Sequence, residues 1–427
     1  MKNIDFLIIG GNSSIAKYFI SYFQSKKITF NITPRKKKKK FSDNEIFFNL
    51  LDKSYKCFNN KKYKNILLLA AETKRTFCQN NKKNSYNVNV NQIYKIAKYF
   101  SYKNSKIIFF SSGVIYDGLP FSAKANNLPT PICEYGIQKF ELEKKLIELK
   151  NILILRLPKI EYPEMSFLKN WINLNKKGIA VKLFTDVYIN PLRVEDLIKK
   201  TFKILNHPKK NKNYIYNISG NKNLSYYEFG KNWLSKIYFT KPKIIKSLYD
   251  YQYIKKPNLI ENSEFKKSQY ITLLKSMNKI IFYDKKNHYI DYSGKSPAIY
   301  CKNNIEIDNN LINQLIKFSI LNNNINCRIC LHNDKNTTMH SMIVLICKKN
   351  ISQYEFHKHD NSNEYYNVLK GNINLYSIIK DNRKRVITKK KLINGSISYV
   401  KKNIYHKLIP QSNYAIFQET KLSPYKQ

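Results

Sequence analysis

The sequence predicts an α/β domain built on a doubly wound, Rossmann-like parallel sheet, followed by a separate all-β domain. Three observations carry this. From residue 1 to about 240, short apolar runs alternate with segments of helical periodicity. The first apolar run passes through Gly10, Gly11, Asn12 and Ser13 into a helical segment, the order that a dinucleotide-binding turn requires. After a helical segment at 307–320, the remaining runs are short, alternate apolar with polar residues and have no helices between them.

In chain order, strands are predicted at 4–11 (IDFLIIGG), 28–33 (ITFNIT), 45–50 (EIFFNL), 65–71 (NILLLAA), 106–112 (KIIFFSS) and 151–157 (NILILRL). Several are apolar on both faces, as strands buried between two helical layers are. Helical patterns at 14–24 and 88–103 fall between them. Residues 241–295 are polar, lysine-rich and weakly periodic, and are predicted as a partial helical extension and linker. The second domain occupies 296–427, with strands expected in MIVLICK, EYYNVLKG, NINLYSII, SISYV and YAIFQE. The first domain is therefore 1–240.

Composition narrows the function. At 427 residues with 43% hydrophobic and 14% aromatic content, the chain can fill two cores. The formal charge is +47, but only seven of the 76 basic residues are Arg. The lysines are scattered among Asn, Ile and Tyr along the whole length, the bias of an AT-rich coding sequence. A nucleic-acid surface needs clustered charge, so nucleic acid is not expected as a partner. The run Lys36–Lys40 reads as a solvated loop. Seven scattered cysteines, no apolar run near ~18 residues and an N-terminus that enters a strand at once predict a reducing, cytoplasmic setting with no membrane span. Cys327 and Cys330 form a lone CxxC without a second pair, which argues against zinc there.

The first candidate site begins at the turn. Glycine is the rule at its first, fourth and seventh positions, which here are Gly10, Ser13 and Ala16. Ser and Ala are the smallest substitutes, so the turn remains feasible, with Gly10, Ser13, Ser14 and Ile15 placed to meet a pyrophosphate. The strand 106–112 ends in Ser112, and after 22 intervening residues comes Tyr135-Gly-Ile-Gln-Lys139. Tyr and Lys four apart share one helical face. An ammonium beside a phenol favours tyrosinate, so the Tyr can exchange a proton with a sugar hydroxyl or carbonyl while hydride passes to or from a nicotinamide. Ser112 would hydrogen-bond the same oxygen. Arg35, with Lys36, follows the second strand where NAD users tend to carry an acid, which favours NADP over NAD.

These residues together resemble the extended short-chain dehydrogenase/reductases of the NAD-dependent epimerase/dehydratase group, and within it the dTDP-4-dehydrorhamnose reductase-like branch. SSGVIYDG (111–118), LPTPICEYGIQKFELE (128–143), NVNVNQI with Asn89, and FTDVYINPLRVEDLI (184–198) carry the resemblance. LAAET (69–73) resembles that branch's alanine motif, which implies Ala70 and Ala71 near the cofactor. The resemblance implies Ser112, Tyr135 and Lys139 as catalytic, with Lys139 also a ribose contact.

The second candidate site is in 355–371, EFHKHDNSNEYYNVLKG. His357 and His359 would share a face of a strand, and Glu364 follows after four residues. Gly395 is followed by His406 eleven positions on. Three imidazoles and a carboxylate on paired strands suit an open site for a divalent metal, Zn, Fe, Mn or Ni. The spacing resembles the two cupin motifs, with Asn350, Lys401 and Asn403 departing from them. SPAIYCKNNIEIDNNLINQL (296–315), RICLH (328–332) and FQETKLSPY (417–425) resemble the WbuC family of cupin-fold metalloproteins. That family accompanies surface polysaccharide genes, and cupins commonly pair through their sheets, which implies a double-stranded β-helix and a homodimer. His332 and His340 lie outside the motif and read as structural.

The two halves together predict an NAD(P)-dependent oxidoreductase or epimerase of a nucleotide sugar, with a metal cupin, serving O-antigen or capsule synthesis. Two alternatives stand beside it. The cupin is a non-catalytic sugar-binding or dimerising module, or the first half is a cofactor-free scaffold.

Overall fold

The computed structural model describes residues 2–35, 40–52, 54–117, 122–207, 214–237, 242–248, 259–292, 294, 296–302, 305–332, 337–381 and 384–422. The chain divides into two compact units, Met1–Thr272 and Leu273–Gln427. The segment 241–295 is thus shared between them.

The first unit is built on a seven-stranded sheet. Its strands begin with β1 (Lys2–Ile9), which leads into helix α1 (Ser14–Ser25), and β2 (Phe30–Thr33). After β3 (Lys61–Leu68) come α2 (Arg75–Asn80), α3 (Lys82–Tyr86), a π-helical turn at 87–92 and α4 (Ile93–Tyr102). Then follow β4 (Lys106–Ser112), α5 (Glu134–Leu146) and β5 (Ile152–Leu157). The spatial order is β2, β1, β3, β4, β5, Tyr214–Asn217 and Ser263–Lys266, with every pairing parallel except the last. The order reverses between β1 and β3, so the crevice of such a sheet opens at their carboxyl ends.

Burial explains the apolar runs. Leu7, Ile8, Ile9, Ile66, Leu67, Ile107, Ile108 and Leu153 through Leu155 are buried with at most a trace of exposure. One layer over the sheet comes from α1, which contributes Ala16, Phe19 and Phe23 to the same core as Phe6, Leu67, Ile108 and Leu155. Each such aromatic side chain removes ~1.5–3 kcal/mol worth of apolar surface from water.

The structure corrects the reading of 45–50 as a strand. Glu45 makes a single parallel bridge to Ile32, Ile46 N–H donates to the Ile32 carbonyl, and the chain then turns away. Phe48 is buried against the rings of Tyr55 and Phe58, so aromatic packing accounts for the apolar run. The segment predicted as extension and linker is also more structured than expected. Strand Ser263–Lys266 closes the first sheet, and helix Lys267–Asn278 follows it. Most of the Lys36–Lys40 run lies outside the described residues, as does the end of the FQETKLSPY stretch.

The second unit is predominantly antiparallel. A seven-stranded sheet runs His288–Asp291, Ala298–Cys301, Cys327–Cys330, Met339–Cys347, Tyr414–Leu422, Glu364–Lys370, Ile397–Val400. A three-stranded sheet holds Lys384–Leu392, Ile373–Asp381 and Tyr405–Pro410. Tyr366, Val368, Leu375, Leu392, Val400 and Phe417, from strands of both sheets, form one core. The predicted helix at 307–320 is Asn309–Leu321, capped by the Asp308 carboxylate, which accepts from Leu311 N–H at 2.7 Å. Its Leu311, Leu315 and Phe318 pack with Ile329, Ile343 and Leu345.

Candidate functional site

At the first turn, Gly10 adopts φ +93°, and a Cβ there would meet the backbone nitrogen of Ala70 at 2.6 Å. Glycine is therefore needed at this position for both conformation and space. The turn is tied to β2: Gly10 N–H donates to Thr33 Oγ1 at 3.0 Å, and Gly11 N–H to the Thr33 carbonyl at 3.1 Å. Ser13 caps α1, its Oγ accepting from Ala16 N–H at 3.2 Å, so Ser14 and Ile15 open the helix. Ala16, at the third glycine position, is fully buried, which shows that a methyl fits between helix and sheet. A close backbone turn running into a helix N-terminus fits a dinucleotide pyrophosphate. Arg35 stands exposed two residues after Thr33, while Lys36 lies outside the described residues.

The carboxyl ends of β3 and β4 meet the start of α5. Ser112 ends β4, and its Oγ accepts from Val114 N–H at 3.3 Å. A Cβ on Gly136 would lie 3.0 Å from the Val114 carbonyl, so the turn after Ser112 and the residue after Tyr135 are in direct contact. Lys139 is buried one turn further on. Its Nζ donates to the Phe110 carbonyl at 3.0 Å and sits 4.6 Å from the Phe109 ring centre. Ser112, Tyr135 and Lys139 are thus brought to one corner, beside Ala70 and Gly10.

The electrostatics differ from the sequence reading. Lys139 Nζ is 5.7 Å from the Tyr135 ring centre and is engaged by the Phe110 carbonyl. Burial pushes the Tyr135 phenol above its usual range, and the cation that pulls it back is Arg75. Burial likewise pushes the Lys139 ammonium down to about 8, with Glu143 opposing.

Sequence reasoning missed several groups at this corner. Arg75 begins α2, and its Nη1 lies 3.9 Å from Asp117 Oδ2. Asp117 is pushed up to about 6 by burial, against the pull of Arg75, and its Oδ1 is buried without a hydrogen-bond partner. Cys133 Sγ lies 3.9 Å from Asp117 Oδ2. A usable signal existed for Arg75: it is one of seven arginines in a chain that otherwise uses lysine. Asn89 ties the loop after β3 to α5. Its carbonyl accepts from Glu72 N–H at 2.8 Å, and its amide donates to the Glu72 carbonyl and to Gln138 Oε1.

In the second unit, His357, His359, Glu364 and His406 converge, with one ligand atom from each lying within 4.8 Å of the others. His357 and His406 are joined by an isolated antiparallel bridge, and His357 and His359 do not share a strand as predicted. His406 Nδ1 faces the Ile404 carbonyl oxygen at 2.9 Å, and His357 Nδ1 faces that of Glu355 at 3.2 Å. Both contacts select the Nδ1–H form and turn an Nε2 lone pair inward. His406 Nε2 stands 2.8 Å from Glu364 Oε2, an approach satisfied by a proton on the imidazole or by a bound cation. His359 Nε2 is buried 3.2 Å from the same oxygen, without hydrogen-bond alignment. This donor set fits a divalent metal ion.

Three further residues shape that cluster. Tyr366 donates to Glu364 Oε2 at 2.6 Å, and Lys421 Nζ reaches Glu364 Oε1 and Glu419 Oε1, each at 2.8 Å. Burial alone would raise the Glu364 carboxyl, but the histidine contacts and the Lys421 charge outweigh it and hold it well below the usual range. The rings of His332 and His340 stack 4.6 Å apart, and neither belongs to the cluster.

A parallel sheet with helices over it, and a glycine turn that feeds a helix N-terminus, define the first unit as a Rossmann-like α/β unit. The chain belongs to the family described as RmlD substrate binding domain, whose model matches residues 4–275. Solved structures agree in fold. A dTDP-4-dehydrorhamnose reductase from Bacillus anthracis in complex with NADP is 20% identical, covering 61% of this chain and 90% of its own, with TM-score 0.51. Another dTDP-4-dehydrorhamnose reductase, from Clostridium acetobutylicum, is 19% identical over 64% of this chain and 100% of its own, with TM-score 0.52. A UDP-glucose 4-epimerase from Thermus thermophilus in complex with NAD is 16% identical over 60% and 90%, with TM-score 0.51. No curated protein matches the chain. Among the described residues, no helix is long and apolar enough to cross a membrane.

Proposed function

We propose that the first unit is an NAD(P)-dependent reductase or epimerase of a nucleotide sugar. The observation that carries this is the meeting of Ser112, Tyr135 and Lys139 beside the Gly10–Ala70 contact at the strand ends. The reductase and epimerase structures of the same fold, bound to NADP or NAD, support it. Gly10, Ser13, Ser14, Ile15, Ala70 and Ala71 would hold the dinucleotide, and Arg35 a 2′-phosphate, which favours NADP. A dinucleotide held there would supply or accept the hydride through its nicotinamide.

Tyr135 gives its phenolic proton to the sugar carbonyl oxygen during reduction, or takes one from a hydroxyl in reverse. Burial raises its pKa and keeps the proton on at neutral pH, which suits the reductive direction. Ser112 would hydrogen-bond the same oxygen, and Lys139 would hold the nicotinamide ribose. The deciding experiment is titration of the purified chain with NADPH and NADH, wild type and Arg35→Ala. Tight NADPH binding that weakens in the variant supports the reading, and binding of neither dinucleotide overturns it.

For the second unit we propose a cupin fold that holds a divalent metal through His357, His359, Glu364 and His406. The unpartnered His359 nitrogen and the close His406–Glu364 approach support this. The metal would polarise a sugar oxygen there, in an isomerisation or epimerisation of the same nucleotide sugar. Together with the first unit, we read the chain as an enzyme of surface polysaccharide synthesis that works as a homodimer. If stripping the metal changes oligomeric state but not product, the second unit is a binding or dimerising module instead.

A further inference from the structure

The two oxygens of Glu364 keep different company. Oε2 faces the histidines: it lies 2.8 Å from His406 Nε2 and 3.2 Å from His359 Nε2, and it accepts from the Tyr366 hydroxyl at 2.6 Å. Oε1 accepts instead from the Lys421 ammonium at 2.8 Å. Lys421 is fixed in turn by a second carboxylate, with its Nζ also 2.8 Å from Glu419 Oε1. Only 2% of the Glu364 side chain and 14% of the Glu419 side chain are exposed, so both contacts are largely withdrawn from water.

Backbone register makes this arrangement. Strand Glu364–Lys370 pairs antiparallel with Tyr414–Leu422, with Glu364 directly opposite Lys421 and Tyr366 directly opposite Glu419. Opposite residues share a sheet face, and so do residues two apart on one strand. All four side chains therefore stand on the face that carries Glu364 to the histidines. A lysine beside donors suited to a cation is unfavourable by itself, because like charges repel. Glu419 offers the same ammonium a second carboxylate and offsets that cost. The remaining effect of Lys421 on Glu364 is directional: it occupies Oε1 and leaves Oε2 to the histidines.

This matters because a carboxylate can bind an ion through one oxygen or through both. The cluster is also open on one side only. His357 is exposed and His359 keeps 26% of its side chain open, whereas Tyr366 and His406 are buried.

We infer that Lys421, steadied by Glu419, is a positioning residue that restricts Glu364 to one-oxygen coordination of the ion, and so keeps a coordination position open to an outside oxygen ligand on the His357–His359 side. This rests on the metal-binding reading of the second unit and deepens it. A two-oxygen Glu364 would close that position, so the lysine separates a site that accepts a ligand from one that only stores an ion.

The full chain is stripped with a chelator and titrated with Mn²⁺, an ion of octahedral preference. Two quantities are read: the affinity, and the water-proton relaxation enhancement per bound Mn²⁺, which reports exchangeable water on the ion. Lys421→Met frees Oε1, and the enhancement is expected to fall by about half as the second carboxylate oxygen displaces one of roughly two waters. The same variant should bind Mn²⁺ roughly tenfold tighter. Lys421→Arg keeps a charged donor on Oε1 and should retain both wild-type values. Lys421→Met leaves two carboxylates facing each other, so Lys421→Met with Glu419→Gln is measured beside it and should show the same fall in enhancement. Bound Mn²⁺ with unchanged enhancement in both Met variants overturns the inference. Weaker binding with unchanged enhancement also overturns it, because Lys421 then only supports the strand pairing. A wild type that takes up no Mn²⁺ overturns it as well, and failure with Zn²⁺, Fe²⁺ and Ni²⁺ besides removes the metal reading itself.

Discussion

Arg156 and Glu143 face each other with no solvent exposure, Nη2 to Oε2 at 2.7 Å and Nε to both carboxylate oxygens at 3.1 Å. Arg156 belongs to β5, and Glu143 lies four and eight residues beyond Lys139 and Tyr135 on α5. The pair therefore pins the helix that carries both groups to the sheet. Tyr116 and the Ala125 carbonyl engage Arg156, and Tyr270 donates to Glu143 at 3.1 Å.

Removing one partner of this pair strands a buried charge. Arg156→Met is expected to lower unfolding free energy by ~3–5 kcal/mol, while Arg156→Met with Glu143→Leu recovers much of the loss. Urea unfolding of the two variants reads this. Equal losses in both would show that packing, not charge, dominates.

Tyr135→Phe keeps the ring and removes the proton. NADPH-dependent reduction should fall by ~10²–10⁴-fold, with NADPH affinity unchanged. Full activity in this variant would move the acid to another group.

Lys139 holds its ammonium only below about 8. Cofactor affinity should therefore fall as pH rises through 8, and Lys139→Met should flatten that profile. Stability should run the opposite way. Between about 8 and the ordinary value of 10.5 the unfolded chain binds the extra proton, so this residue's destabilising share shrinks as pH rises. Fluorescence titration and thermal unfolding across that window check both signs.

Metal content of the purified chain should drop on His406→Ala or Glu364→Gln, measured by elemental analysis, while NADPH reduction by the first unit persists. Unchanged metal content would place any bound ion elsewhere.

The parts legible in the sequence were those set by local pattern. The Gly10 turn, the strand end at Ser112 and the helical spacing of Tyr135 and Lys139 follow from short-range periodicity. The four residues from His357 to His406 converge although their segments are not one strand, because a carboxylate and imidazoles at strand ends tolerate several backbone routes. Long-range placement was not legible. The partner of Lys139 is a carbonyl two residues before Ser112, across the sheet. Arg75 and Asp117 meet only in the folded chain. The 45–50 run looked like a strand because buried aromatics and buried strands have the same composition.

Asn89 has a mechanical consequence. With its side-chain oxygen on the Glu72 N–H and its amide nitrogen shared between the Glu72 carbonyl and Gln138 of α5, it acts as a strut between the loop leading to Arg75 and the helix of Tyr135. Neither wall of the pocket can swing outward without loading the other. The Glu72 amide should therefore exchange its hydrogen at the pace of the helix rather than of an exposed loop, and the pocket should breathe as a single piece.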